Sequence, residues 1–225
     1  MKKLRRNTLI AFSGGCFSGK TTTMNKLLSY LKDKGYPVEV IGERAREFMP
    51  QQYNGNIDLL RKNAKDYLKF EIDIISKKIQ DEDNARTGES KKVYLIDRAL
   101  TDSLFYLETY IDIKSLDTES AKEFTDFHKK LVNLLTTDLR YCNNYRYNIV
   151  FEFEPIENSN NDDTFRPGNI DVIKHYEHNR IKRINDEFLA NAMLYRFDIL
   201  QQKKAKDIFE YARSKVENYI YYNEF

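Results

Sequence analysis

Two periodicities divide this chain: short unbroken apolar runs, and longer stretches in which apolar residues recur three and four positions apart. Thr8-Leu9-Ile10-Ala11-Phe12 is a run of strand formers closed by a glycine pair, and Lys20 to Lys34 places Met24, Leu27, Leu28 and Leu31 on one helical face. Gly35-Tyr36-Pro37 ends that helix, and Val38-Glu39-Val40-Ile41-Gly42 reads as a second buried strand, completing a strand-helix-strand crossover. Ala45 to Phe48 begins a short helix stopped by Pro50. From Ile57 to about Asp83 the spacing of Leu59, Leu60, Tyr67, Leu68, Ile72, Ile75 and Ile79 predicts one long amphipathic helix, and Asp81 to Lys92 reads as a charged loop.

Val93-Tyr94-Leu95-Ile96-Asp97 is a third strand, apolar until its last residue, as suits a strand covered on both faces. Helices are expected at about Thr101 to Tyr110, with Thr101 as N-cap, and at Thr118 to Leu139. Tyr147 to Phe153 forms a fourth strand, Asp171 to Asn191 a helix, Leu194 to Asp198 a fifth strand, and Lys203 to Tyr219 a last helix. Between them, residues 154–168 are rich in Pro, Asn, Ser, Asp and Gly and read as a mobile lid loop. No repeat or linker divides the chain, so the expectation is one domain over 1–225. Its architecture is three-layer α/β/α around a doubly wound, mostly parallel, five-stranded sheet.

Composition narrows the function classes. With 37 Lys and Arg against 35 Asp and Glu, the net charge of +2 gives no sequence-independent pull toward nucleic acid, so any basic surface is local. Two cysteines, Cys16 and Cys142, are too few for a disulfide framework or a zinc site and point to a reducing, cytoplasmic setting. The basic start, Met1 to Arg6, lacks the apolar stretch of a signal peptide, and charged residues interrupt every run that could cross a bilayer.

The chemistry concentrates at Gly14-Gly15-Cys16-Phe17-Ser18-Gly19-Lys20-Thr21, which matches G-x-x-x-x-G-K-[ST]. Because it follows a predicted strand and opens a predicted helix, the match has the context that gives it meaning. Glycines let successive N–H groups converge on phosphate oxygens, the helix start adds the positive end of its dipole, and Lys20 supplies an ammonium. Thr21 is the expected Mg²⁺ ligand, and Thr22 a donor to an inner phosphate. The alternative, a Gly-rich turn that binds nothing, leaves the Lys-Thr pair without a packing reason.

In a doubly wound sheet, ligands bind beyond the carboxyl ends of the strands, which makes strand-terminal residues candidates. Asp97 ends the third strand and can hold Mg²⁺ or accept a proton from an attacking hydroxyl; its alternative is a turn cap. Glu43 follows the second strand as a candidate general base, with Arg44 or Arg46 toward an anionic acceptor group, against the alternative of an exposed first helical turn. Arg98 and Asp102 are candidates for a substrate phosphate and a sugar hydroxyl, or pair with each other at i, i+4. Arg166, on the lid segment, is a candidate finger on the transferring phosphoryl group. Arg180 and Arg183 read as surface residues, and the three histidines show no metal-site spacing.

Taken in order, the phosphate loop, Gly42-Glu43-Arg44-Ala45-Arg46-Glu47-Phe48, Leu95-Ile96-Asp97-Arg98-Ala99-Leu100-Thr101-Asp102-Ser103 and Asp163-Thr164-Phe165-Arg166 resemble the AAA-labelled ATPase group of P-loop NTPases. That group includes the nicotinamide riboside kinase domain and is similar to thymidylate and deoxynucleoside kinases. The resemblance implies Mg²⁺ at Thr21 and Asp97, acceptor recognition at Glu43 and Arg98, and a lid arginine at Arg166. It implies an Mg²⁺-dependent ATP phosphotransferase acting on a nucleoside, nucleoside monophosphate or similar small molecule. GTP is the other donor, although no Asn-Lys-x-Asp guanine signature follows a late strand. The rival class is a regulatory ATP- or GTP-binding module whose lid captures a protein or lipid partner, and a polynucleotide end kinase is a third, disfavoured by the net charge.

Overall fold

A computed structural model of the protein describes residues 2–15, 18–140, 146–154, 170–188, 193–197 and 205–224. Of Arg46 and of residues 138–140, 170–175, 193–197 and 205–207 it describes the backbone only. The elements in chain order are β1 (Thr8–Ser13), α1 (Lys20–Asp33), β2 (Val38–Ile41), α2 (Ala45–Phe48), α3 (Ile57–Arg61), α4 (Ala64–Thr87) and β3 (Val93–Asp97). They continue with α5 (Leu100–Tyr110), α6 (Thr118–Arg140), β4 (Ile149–Phe153), α7 (Ile170–Phe188), β5 (Met193–Phe197) and α8 (Ala205–Tyr221).

Among the described residues the sheet has five strands in the order β2-β3-β1-β4-β5, and all four pairings are parallel. β1 is central and wholly buried, and its alternation sorts the layers. Ile10 and Phe12 pack with Met24, Leu27 and Leu31 of α1 and with Ala212, Val216 and Ile220 of α8. Leu9 and Ala11 face the other way, with Ile96, Val150 and Ala85 of α4. A larger cluster of Tyr67, Leu68, Ile75, Leu104, Phe105, Leu131 and Ile181 joins α4 to α7 on that second side. Because the chain leaves β1 toward β2 and β3 and later returns to β4 on the opposite flank, the carboxyl end of β1 is where the winding reverses, and there the sheet opens a ligand crevice.

Four expectations are corrected. β2 is an edge strand with Glu39 and Val40 exposed, since among the described residues β3 alone pairs with it. The helix expected from Ile57 to Asp83 is two: Asn63 accepts the Asp66 N–H at 3.2 Å and starts α4 anew, and Asn56 caps α3 by accepting from Asp58 and Leu59. The charged loop from Asp81 is helix until Thr87, and one of its charges faces inward: Glu82 is fully buried, met by Lys78 at 2.9 Å and Arg146 at 3.0 Å. Thr101 is not the cap of α5; Asp102 reaches back to the Ala99 N–H at 2.7 Å, and the Thr101 hydroxyl bonds Asn185 of α7. The lid segment from 155 to 168 lies outside the described residues.

Candidate active site

The phosphate loop leaves β1 through Gly14, whose φ of +128° is open to glycine and strained for any L side chain. A Cβ there would stand 2.3 Å from the Phe153 carbonyl oxygen of β4, so the residue type is dictated by strand spacing as well as by backbone conformation. Gly19, at φ +82°, turns the chain into α1 as its N-cap residue. Between them Cys16 and Phe17 lie outside the described residues. The Ser18 hydroxyl donates to the Gly15 carbonyl at 3.0 Å, and the Lys20 ammonium folds over the loop, donating to the Gly15 carbonyl and to Ser18 Oγ. Burial pushes the Lys20 ammonium down to about 8, with the Arg98 guanidinium adding to the effect and Asp97, Asp102 and Glu43 opposing it. Thr21 and Thr22, next on the first turn of α1, are exposed.

Asp97 pairs in register with Phe12, which places the last residue of β3 beside the strand end that launches the loop. The next residue, Arg98, sits at φ +68°, a left-handed conformation that costs a non-glycine residue about 1 kcal/mol. Three contacts hold it there. Its N–H donates to the Phe12 carbonyl at 3.1 Å, its Nε to Glu43 at 2.9 Å and its Nη1 to the Tyr106 hydroxyl at 2.9 Å. The Tyr106 hydroxyl in turn lies 3.4 Å from Glu177 of α7, and Tyr110 donates to the same carboxylate at 2.8 Å. Non-glycine residues fixed in sparse backbone regions concentrate at functional sites, and this one carries a buried guanidinium aimed at the candidate base.

A cleft opens beside this turn, lined by Glu43, Arg44, Asp97 and Arg98 together with Arg61, Glu71 and Lys78. Its apolar walls are Ile57, Phe70, Ile74 and Tyr106. The mixture of flat apolar walls with a few converging polar groups is that of a small-molecule site. Lys78 bonds Glu82 and lies 3.4 Å from the Asp97 carbonyl, while Tyr147 donates to Glu82 and accepts the Leu100 N–H at 2.8 Å. The Asp97-to-Leu100 turn is therefore braced from below by a buried charge network.

Of the residues singled out in the sequence, Glu43, Arg44, Asp97 and Arg98 come together on the cleft, and Lys20 and Thr21 stand on the loop side. Arg44 is already engaged, by Glu47 at 2.7 Å and Asp81 at 3.1 Å. Asp102 is placed differently from the expectation of a sugar contact. It is fully buried, and its carboxylate accepts the N–H groups of Gly14 and Ala99, so it supports the loop from behind. The Arg46 side chain and Arg166 lie outside the described residues. Sequence reading missed Arg61, Phe70, Glu71, Lys78 and Tyr106. The signal for two of them was present: Glu71 and Lys78 fall on the stripe of Tyr67, Ile75 and Glu82, charges on the face of a helix that packs inward.

A family model described as an AAA domain matches residues 9–188, from β1 to the end of α7. The chain belongs to the AAA domain family. No curated protein matches the sequence. Among solved structures, the AAA domain is similar to NadR protein in complex with NR, at 17% identity and a TM-score of 0.61, covering 95% of this chain and 52% of that one. It is also similar to NadR protein in complex with NAD and AMP-PNP, at 16% and 0.58, covering 95% and 49%. Thymidylate kinase from Ehrlichia chaffeensis aligns at 15% and 0.52 over 94% of this chain and 98% of that one. The chain spans about half the length of the two NadR chains. At these identities the likeness establishes the fold alone, a three-layer α/β/α arrangement around a parallel sheet.

Proposed function

We propose that this protein is an Mg²⁺-dependent phosphotransferase that moves the γ-phosphoryl group of ATP to a hydroxyl of a nucleoside-class small molecule held in the cleft. The observation that carries the proposal is the adjacency of two half-sites. Asp97 belongs to both, being in register with the strand that launches the phosphate loop and on the lining of the cleft. A module that only bound nucleotide would need no second concave site at that position.

In this reading the loop N–H groups and Lys20 hold the triphosphate, and Glu43, oriented by Arg98, positions the acceptor hydroxyl for in-line attack. Asp97 takes the hydroxyl proton or shares the metal. The Thr21 hydroxyl and the Asp97 carboxylate are the hard oxygen donors that Mg²⁺ accepts, with water completing its shell, so the residues present fit that ion. When bound, Mg²⁺ offsets charge on the β- and γ-phosphates. Arg166 is retained from the sequence as the lid cation. Incubation with γ-labelled ATP, Mg²⁺ and a panel of nucleosides and nucleoside monophosphates tests the proposal; labelled acceptor supports it, and slow hydrolysis with every acceptor sinks it.

A further inference from the structure

Among the apolar residues that α7 turns inward, Ile181, Ile184 and Phe188, stands a fully buried asparagine, Asn185. Its amide nitrogen donates to Ser13 Oγ at 2.9 Å and to the Glu152 carboxylate at 2.8 Å, and its amide oxygen accepts the Thr101 hydroxyl of α5. Ser13 and Glu152 are a register pair of β1 and β4, so the amide lies across the carboxyl ends of both strands. Ser13 is the residue before Gly14, and the Gly14 N–H is held by Asp102, the residue after Thr101. These bonds close a ring. It runs along the chain from Ser13 to Gly14, across to Asp102, back one residue to Thr101, and through Asn185 to Ser13 again. Ser13, Thr101, Asp102, Glu152 and Asn185 are all shut off from solvent.

Packing alone does not call for this arrangement. A leucine at 185 would extend the apolar stripe of α7, and a buried polar network adds little stability over apolar groups of the same shape. What the polar choice adds is direction, because apolar contact is non-directional while hydrogen bonds fix both distance and angle. Direction matters most at the root of the phosphate loop. Gly14 leaves β1 at φ +128° with the Phe153 carbonyl against it, and the N–H groups that follow must converge on phosphate oxygens. Asp102 fixes Gly14 from the side of α5, and Asn185 fixes the preceding residue from the side of α7. Glu152 and Thr101 hold the rest of the amide, so that it cannot turn away from Ser13. We infer that Asn185 is a positioning residue for the phosphate loop. Buried beneath the site, it acts through Ser13, setting triphosphate affinity by fixing the direction in which the chain leaves β1. The inference goes beyond the phosphotransferase reading and does not rest on it, since a loop that only holds nucleotide needs the same root.

The test separates affinity from stability. The full chain is titrated calorimetrically with a non-hydrolysable ATP analogue and Mg²⁺, at a temperature where circular dichroism shows each variant folded. Asn185→Asp places an oxygen against the Glu152 carboxylate and is expected to bind the analogue about tenfold more weakly than wild type. Adding Glu152→Gln exchanges the amide and the carboxylate, so that Ser13, Thr101 and Gln at 152 can all donate to Asp at 185. The exchanged protein is expected to bind about fivefold more tightly than Asn185→Asp alone. Ser13→Ala, the mildest change, removes only the link to the loop root and weakens binding about threefold. Asn223 supplies the control. It is a buried asparagine at the other end of β1, donating to Thr8 Oγ1 at 2.9 Å, so Asn223→Ala lowers Tm and leaves analogue affinity within about twofold. Should Asn185→Asp not fold, Ser13→Ala and the exchanged protein, each set against wild type, decide the matter. Affinity unchanged in folded Asn185→Asp or in Ser13→Ala overturns the inference. So does an exchange that recovers Tm without affinity, or an equal loss of affinity in Asn223→Ala. Wild type that binds no analogue overturns it together with the phosphate-loop reading, whereas binding without transfer leaves it standing and removes the kinase reading alone.

Discussion

The Asp102 carboxylate accepts the Gly14 N–H at 2.9 Å and the Ala99 N–H at 2.7 Å, tying the first turn of α5 to the first glycine of the phosphate loop. A carboxylate in a fully buried position is raised by burial and drawn back down by Arg98, by those two N–H groups and by Lys20. Asp102→Ala strands two buried donors and is expected to cost about 2–4 kcal/mol in urea unfolding. It is also expected to weaken ATP binding, because the loop loses its rear support. Asp102→Asn, which keeps one acceptor oxygen, falls between wild type and alanine in both measurements.

Gly14→Ala meets the Phe153 carbonyl at 2.3 Å and forces an L residue to φ +128°. Moving β1 from β4 to relieve this would open the centre of the sheet. The expected outcome is loss of soluble folded protein or a drop in Tm of at least several degrees, read by circular dichroism melting. Gly55, also at positive φ but with open space around it, is the control: Gly55→Ala costs only the backbone strain.

Lys20 gives a pH dependence whose sign is fixed. Its folded value of about 8 lies below the ordinary 10.5, so the folded state resists the proton that the unfolded chain keeps. The penalty is complete below pH 8 and is relieved as the pH rises from 8 to 10.5, a gain from this group of roughly 3 kcal/mol. Phosphate oxygens favour the charged ammonium, so ATP binding near pH 8.5 takes up a proton, seen as buffer-dependent heats in calorimetry. In Lys20→Met that uptake disappears, and stability below pH 8 rises.

Glu71 has the opposite dependence. Its folded value of about 7 exceeds the ordinary 4.5, so the folded state binds the extra proton and the cost of the buried anion grows as pH rises from 4.5 to 7. Above pH 7 the full cost is about 3 kcal/mol. Glu71→Gln therefore stabilises the protein at pH 8 and has almost no effect at pH 4.5, a difference that urea unfolding at the two pH values resolves.

The network under the Asp97 turn is expected to be sensitive to loss of one partner. Removing Glu82 leaves Lys78 and Arg146 buried with a carboxylate missing, so Glu82→Ala should cost about 3–5 kcal/mol. Since Tyr147 also loses its acceptor, the Leu100 N–H contact loosens and acceptor affinity falls along with stability.

The sheet was legible because its strands are apolar runs flanked by glycine and polar turns, and the phosphate loop because its residue types have no other use between a strand and a helix. Asp97 and Arg98 were legible for the same reason, one polar pair closing an otherwise apolar run. Asp102 was visible but misread, since i, i+4 spacing suggested an Arg98 pair while three-dimensional packing turned it toward Gly14. The α4 residues were missed because composition outweighed period. Asp81 to Lys92 is charged enough to look like loop, yet Glu82 is neutralised by Arg146, 64 residues away in sequence. Arg61 and Glu71 belong to separate helices that come together only in the fold, and no local pattern could unite them.

The central claim, that one site holds both triphosphate and acceptor, is tested most directly by following label from γ-labelled ATP in the presence of Mg²⁺ and the nucleoside panel, for wild type and for Asp97→Asn. The account predicts labelled acceptor with wild type, and transfer at least a hundredfold slower with Asp97→Asn while ATP still binds. Tight ATP binding with no transfer to any nucleoside or nucleotide, or unchanged transfer in Asp97→Asn, would contradict it.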